Sequence, residues 1–294
     1  MNNTFQILFL LGLMRSGTTY FRNILSSNNS IQILGSEMNK FWTDIGDAPS
    51  GIVKDCLYLN KENLKIDTIK RVHNYYNKFY CKRNSLKSIL YRYYRIKKYK
   101  NETLLKYGHP LYLLNKSTHL NNKVSYIDGI FPSAIYIYII RDIYSYTNSL
   151  LKHFNNLINK NYIIKLPDNG SRSCWGFYKN NKKHEQFRFE DIPTYWINHN
   201  LLAIKSLKKL KDHRYIFVSY KNLVEEPDKV LSSIEELLNL NINRNFQQKL
   251  INNLTNEPLS DWEKDLSNNE KNIINKIISY NKNKFKEISN LVDI

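Results

Sequence analysis

Cysteine is scarce in this chain: Cys56, Cys81 and Cys174 stand far apart, and no C-x-x-C pair occurs among the 294 residues. That excludes a disulfide framework and a cysteine-built zinc site, and it suits reduced thiols in a cytoplasm. Glycine and proline are sparse too, 9 and 7, and no Gly-, Pro- and Ser-rich stretch marks a linker. A single domain spanning 1–294 with an ample core is therefore expected. Long hydrophobic runs are missing, since no segment approaches the ~20 apolar residues of a membrane span. The apolar run at residues 5–13 has no basic flank before it and meets Arg15-Ser16-Gly17 without a small-residue cleavage site, so it does not read as a secretory signal. Acidic residues are few, 26 against 44 Lys and Arg, which leaves a net charge of +18. So basic a chain attracts polyanions, including nucleic acid, anionic membrane surfaces and acidic polysaccharide. Part of the excess follows from the abundance of Asn, Lys, Ile and Tyr that AT-rich coding sequence produces.

What is present is an alternation of strand-like and helix-like segments. Residues 6–13 form an apolar run that reads as a strand buried on both faces. A tight loop follows at 12–19, and residues 18–27 carry Tyr20, Phe21, Ile24 and Leu25 at helical spacing. A short second strand is expected at 31–34. The strongest strand signal is 134–140, ended by Arg141-Asp142 and followed by a helix over 143–154. Further helix is expected over 195–210, a parallel-type strand at 215–219, and a loop and helix over 223–240. One amphipathic helix is expected over 269–288. Alternation of this kind predicts an α/β fold with a parallel sheet covered on both faces. Residues 61–107 stand apart. They are rich in Lys, Arg and Tyr and poor in acids, and they predict a helical insert with a solvated basic face.

The loop carries the chemistry. Gly12-Leu13-Met14-Arg15-Ser16-Gly17-Thr18-Thr19 has the spacing of a Walker A loop, with Thr18 where the lysine belongs. Two glycines and a helix start suffice to cradle one anion on backbone N–H groups. The missing lysine, and the lack of an Asp-ended second strand for magnesium, count against a kinase or NTPase. Arg15 returns a positive charge from another position. A plain strand-to-helix turn is the bland alternative.

Arg15-Ser16-Gly17-Thr18-Thr19 resembles the 5′-phosphosulfate loop of the sulfotransferases, a family with a P-loop-type central parallel sheet that takes 3′-phosphoadenosine-5′-phosphosulfate (PAPS) as donor. The resemblance implies that these five residues meet the 5′ phosphate and sulfate. Arg141, with Ser149 two helical turns further on, resembles the family's 3′-phosphate motif; a surface Arg–Asp pair is the competing reading. Asn115-Lys116-Ser117-Thr118 resembles the Lys-Thr-Pro or Lys-Asp-Pro segment of Golgi-type and bacterial members. Val218-Ser219-Tyr220, ahead of Glu226-Pro227, resembles the Arg-Tyr-Glu-Asp-Leu segment and places Tyr220 in the donor site. Trp262 and Leu266-Ser267 resemble the C-terminal signature. The sequence departs from the family at Ser219, where an arginine is usual, at Ser117-Thr118, and at His153, where tyrosylprotein-type members carry an arginine.

Sulfuryl transfer needs a base at the acceptor hydroxyl and cations on the leaving side. Arg15 and Lys116 are the expected cations. Two bases remain open. Glu37 follows the short second strand and resembles the catalytic glutamate of tyrosylprotein and bacterial members; such a role calls for a carboxyl raised by burial. His119 resembles, with one extra residue, the histidine of the Lys-Thr-His-Leu segment in cytosolic members. The expected partners are PAPS and a hydroxyl acceptor: a carbohydrate or glycoconjugate first, with lipid, small molecule or tyrosine as alternatives. No metal, no nucleic acid and no transmembrane segment is expected; peripheral membrane contact is compatible with the charge. A P-loop kinase or NTPase and a non-enzymatic polyanion or nucleic-acid binder are the competing functions.

Overall fold

The computed structural model describes residues 5–26, 28, 30–48, 58–81, 111–166, 176–179, 187–240 and 261–292. The first strand, β1 (Gln6–Gly12), is buried along nearly its whole length. It leads through the glycine loop into α1 (Thr18–Leu25). A short β2 (Ile31–Ile33) and α2 (Asn39–Asp44) follow. Then come α3 (Ile66–Cys81), β3 (Tyr112–Lys116), α4 (Val124–Ile130), β4 (Ile135–Ile140) and α5 (Ile143–Ile158). The second half contains β5 (Tyr162–Lys165), β6 (Gly176–Lys179), α6 (Asp191–Leu207), β7 (Tyr215–Ser219), α7 (Tyr220–Glu225) and α8 (Pro227–Leu238). Close to the C-terminus lie α9 (Trp262–Asp265), α10 (Asn268–Tyr280) and α11 (Lys282–Ser289).

Among the described residues five strands pair in the order β2-β3-β1-β4-β7, every pair parallel. The fold is thus α/β, a central parallel sheet flanked by helices. The period-two alternation of side chains splits the core between its faces. Phe9, Leu11, Tyr136 and Tyr138 join a cluster with α4, α5 and α6. Leu8, Leu10, Ile137 and Ile139 join a second cluster with α1, α7 and α8. Both faces being covered explains why β1 and β4 read as continuous apolar runs. Because β1 lies at the centre, its C-terminal end opens beside the ends of β3 and β4, the usual place for a ligand in an open parallel sheet.

Three features differ from the sequence expectation. β3 is an inner strand that the hydrophobic pattern does not announce: all five residues of Tyr-Leu-Leu-Asn-Lys are buried, yet two are polar. The antiparallel β5–β6 pair is also unannounced. The expected single helix over 269–288 is two helices that part at Asn281, whose side chain donates to the carbonyl of Ile277 at 3.0 Å and closes the first. Of the basic insert, residues 61–63 form a 3₁₀ turn and α3 is helical. Thr68, Val72 and Tyr76 of α3 face inward, while Lys70 and Arg71 are exposed. Residues 82–107 of the insert lie outside the described residues. Among those described, no helix is long and apolar enough to cross a membrane.

Candidate active site

The loop between β1 and α1 has the backbone its glycines predict. Gly12 and Gly17 hold φ of 150° and 90°, and Arg15 sits between them at 74° in the left-handed region. Gly17 is irreplaceable on two counts: its φ, and the Tyr220 ring, which would lie 2.3 Å from an added Cβ. It also stands at the N-cap of α1 with no side-chain cap. The first N–H groups of that helix are thereby left to an incoming anion. Ser16 and Thr18 are buried, whereas Arg15 and Thr19 are exposed.

The second motif is folded against the first. Arg141 leaves the end of β4 and donates from Nη1 to the carbonyl of Arg15 at 3.1 Å. Its guanidinium lies 4.8 Å from the centre of the Tyr220 ring, and its own carbonyl accepts from Trp196 Nε1 at 2.9 Å. Asp142 caps α5 by accepting from the Ser145 N–H at 2.8 Å, which gives that carboxylate a role other than the surface ion pair. Ser149, two turns into α5, accepts from Arg15 Nε at 3.3 Å. His153, one turn further on, has its pKa lowered by burial and by the positive charges of Arg15 and Lys160. The C-terminal motif braces this helix: Trp262 stacks on Tyr144 with ring centres 4.5 Å apart, and Asp265 accepts from Asn148 at 2.8 Å and Lys152 at 2.5 Å. Ser219, where the family usually has arginine, caps α7 through the Asn222 N–H at 3.3 Å.

The third group gathers at the ends of β2 and β3. The chain beyond β2 continues alongside β3, with Met38 N–H donating to the Lys116 carbonyl at 3.0 Å. That register sets Glu37 against Lys116, Nζ to Oε1 3.1 Å. Thr118 Oγ1 donates to the same oxygen at 3.1 Å. The lysine side chain is 5% exposed and the glutamate 37%, so the carboxylate is the partner with access to solvent. Burial pushes the Glu37 carboxyl up, but the Lys116 charge and the hydrogen bonds from Lys116 and Thr118 together outweigh it and hold it below its ordinary value. The raised carboxyl expected from the sequence is therefore corrected: Lys116, the expected leaving-side cation, faces Glu37, the expected base. Burial lowers Lys116, with Glu37 opposing and Arg22 adding to the shift. His119 is pushed down to about 4 by burial and by Lys123, with Glu37 pulling the other way. Its ring is neutral at physiological pH, and its backbone carbonyl accepts from Lys123 Nζ at 2.9 Å.

While Trp262 and Leu266-Ser267 lie on or just after α9, the candidate donor-site, cation and base residues thus lie at the C-terminal ends of β1, β2, β3, β4 and β7 or on the elements that leave them. Three that pattern reading passed over belong with them. Thr118 holds Glu37. Arg22 on α1 donates to the Ser36 carbonyl, just before Glu37. Asn121 bonds to both backbone groups of Gly12 at 2.8 Å each. Thr118 lies within the Lys116-to-His119 stretch already suspected, where it was given no role, and Asn121 lies just beyond it; Arg22 gave no signal beyond being a cation on the helix after the loop.

A sulfotransferase family model matches residues 8–244. Comparison with curated protein sequences finds no match. Among solved structures, a sulfotransferase from Alicyclobacillus acidocaldarius aligns with a TM-score of 0.53 at 11% identity, covering 97% of this chain and 94% of that one. The sulfotransferase domain from the curacin biosynthetic pathway aligns at 18% identity and a TM-score of 0.45, covering 82% and 76%. A mouse sulfotransferase complexed with PAP aligns at 13% identity and a TM-score of 0.45, covering 98% and 84%. A lysine-free anion loop on a five-stranded parallel sheet, matched by the family model over most of its length, places this chain in the sulfotransferase family.

Proposed function

We propose that the protein transfers a sulfuryl group from PAPS to an acceptor hydroxyl. The observation that supports this reading is that the Gly12–Thr19 loop meets Arg141 and Ser149, the two candidate anion sites, through Arg15. A donor with a 5′ phosphosulfate and a 3′ phosphate needs two such sites at a fixed separation. In this reading the loop N–H groups and the N-terminal end of α1 hold the 5′ group. Arg141 and Ser149 hold the 3′ phosphate, and Tyr220 packs beside them.

Glu37 is the proposed base. It is the accessible member of its cluster, and its lowered pKa keeps it ionised at neutral pH. His119 is buried, 8% exposed, which fits a wall of the site better than a proton acceptor. The acceptor oxygen attacks sulfur in line, its proton passes to Glu37, and the sulfur–oxygen bond to the 5′ phosphate breaks. Negative charge then builds on the departing phosphate oxygen. Lys116 and Arg15 offset that charge, positioning and electrostatics together supplying the catalysis.

The preferred acceptor is a carbohydrate or glycoconjugate hydroxyl, on the likeness of the Lys116 segment to Golgi-type members. The dispersed cysteines suit a cytoplasmic setting. The test is isothermal titration with 3′-phosphoadenosine 5′-phosphate (PAP), without magnesium, on wild type and Arg141→Ala. Metal-free binding that falls sharply in the variant supports the reading; absence of binding by wild type overturns it and returns the kinase and polyanion readings. Labelled PAPS offered to sugar, lipid, small-molecule and tyrosine acceptors then separates the acceptor classes.

A further inference from the structure

β1 pairs with β3 only as far as Leu10 opposite Lys116. Beyond that register β3 has left the sheet, while β1 runs on to Gly12 opposite Ile139 of β4. On the β4 side Gly12 is pressed close, since an added Cβ would lie 2.6 Å from Ile139 Cγ2. On the vacated β3 side its N–H donates to Asn121 Oδ1 at 2.8 Å, and its carbonyl accepts from Asn121 Nδ2 at 2.8 Å. A carboxamide has the donor and acceptor pattern of a peptide group. One side chain therefore continues the ladder where the strand has ended. The same Nδ2 also donates to the Thr118 carbonyl at 2.8 Å. Asn121 is 3% exposed, so these bonds are made in a setting where an unmade one is costly.

The two ends of this clamp are functionally distinct. Gly12 opens the anion loop. Thr118 holds Glu37 through its hydroxyl and lies two residues from Lys116. We propose that Asn121 is a positioning residue for sulfuryl transfer, its carboxamide fixing the mouth of the donor loop against the segment that orients the base and the leaving-side cation. The proposal rests on the donor reading given above. Neither the loop sequence nor the lysine motif contains this residue; it acts through Gly12 and Thr118 and need not touch substrate.

The test measures PAP and adenosine 3′-monophosphate affinities by titration calorimetry on wild type, Asn121→Leu and Asn121→Ser, with thermal melting of each protein. The leucine keeps the volume and removes every bond; the serine is too short to span Gly12, buries no charge, and is read if the leucine variant does not fold. PAP affinity is expected to fall roughly ten- to a hundredfold. Affinity for the 3′-monophosphate, which lacks the 5′ group, should change by no more than about twofold. A folded variant that binds PAP as wild type does, or one that loses affinity for both nucleotides equally, overturns the proposal; equal loss would make Asn121 a general structural residue. Wild-type protein that binds neither nucleotide overturns the donor reading itself, and is distinguishable because no variant is then needed.

Discussion

The two halves of the site are built on different principles. The glycine loop, proposed to hold the donor, is one contiguous stretch whose shape is written in backbone angles, with Gly12, Arg15 and Gly17 at positive φ. The base-side cluster has no contiguous motif. Glu37 comes from the end of β2, Lys116 from the end of β3 and Thr118 from the turn beyond, and they meet through one carboxylate oxygen. The loop is held by conformation and close packing, the cluster by charge. Damage to the first should therefore show in folding and nucleotide affinity, and damage to the second in turnover and its pH dependence.

The largest expected effect falls on the charged side. Glu37→Gln should lower kcat by about 10²–10⁴-fold, the usual cost of losing a general base, with PAP affinity almost unchanged. Parallel turnover and calorimetry check it, and an equal loss of affinity would erase the division of labour. Lys116→Met comes next. Removing a cation from the developing charge should lower kcat by roughly 10²–10³-fold, and it should also move a titration. In wild type the acid limb of kcat/KM should lie below the ordinary carboxylate range, because Glu37 is held below its ordinary value. Without Lys116 the largest opposition to burial is gone and mainly the Thr118 hydrogen bond remains against it, so the limb should shift to higher pH. A limb that does not move would mean that Glu37 is not the titrating base.

On the loop side, Gly17→Ala forces an unfavourable φ and a contact with Tyr220. It should cost about 1–3 kcal/mol of stability and weaken PAP binding. Pairing it with Tyr220→Ala should recover the steric part but not the φ part, as a double-mutant cycle on melting would reveal. A last effect, on the pH dependence of stability rather than on activity, is expected at Lys123, which donates to the His119 carbonyl. Burial pushes Lys123 down to about 7 from 10.5. Between those values the unfolded chain binds more protons than the folded one, so stability should rise with pH across that window and be lost as pH falls toward 7. The slope is at most about 1.4 kcal/mol per pH unit. Lys123→Met should flatten it in melts taken between pH 7 and 10; an unchanged slope would locate the titration elsewhere.

Several parts of this molecule were legible in the amino-acid order alone. β1 and β4 appear as apolar runs because both faces of an inner parallel strand are buried, β7 appears as a shorter run at the sheet edge, and the loop appears because glycine tolerates its backbone angles cheaply. Arg141 and Ser149 could be paired at a distance because a strand end and the following helix have fixed periodicities. β3 escaped the same reading. Its buried Asn115 and Lys116 break the hydrophobic run, Asn115 bonding to Trp42 at 3.3 Å and Lys116 to Glu37 at 3.1 Å. A polar residue buried in a strand looks, in one dimension, like a loop residue. Sequence by itself made the glycine loop legible, because two of its positive-φ positions are glycines. Only the tertiary structure decided which oxygen Lys116 faces, that Glu37 is lowered rather than raised, and that Asn121 replaces a missing strand at Gly12, because each depends on residues far apart in the chain being brought within hydrogen-bonding distance by the sheet.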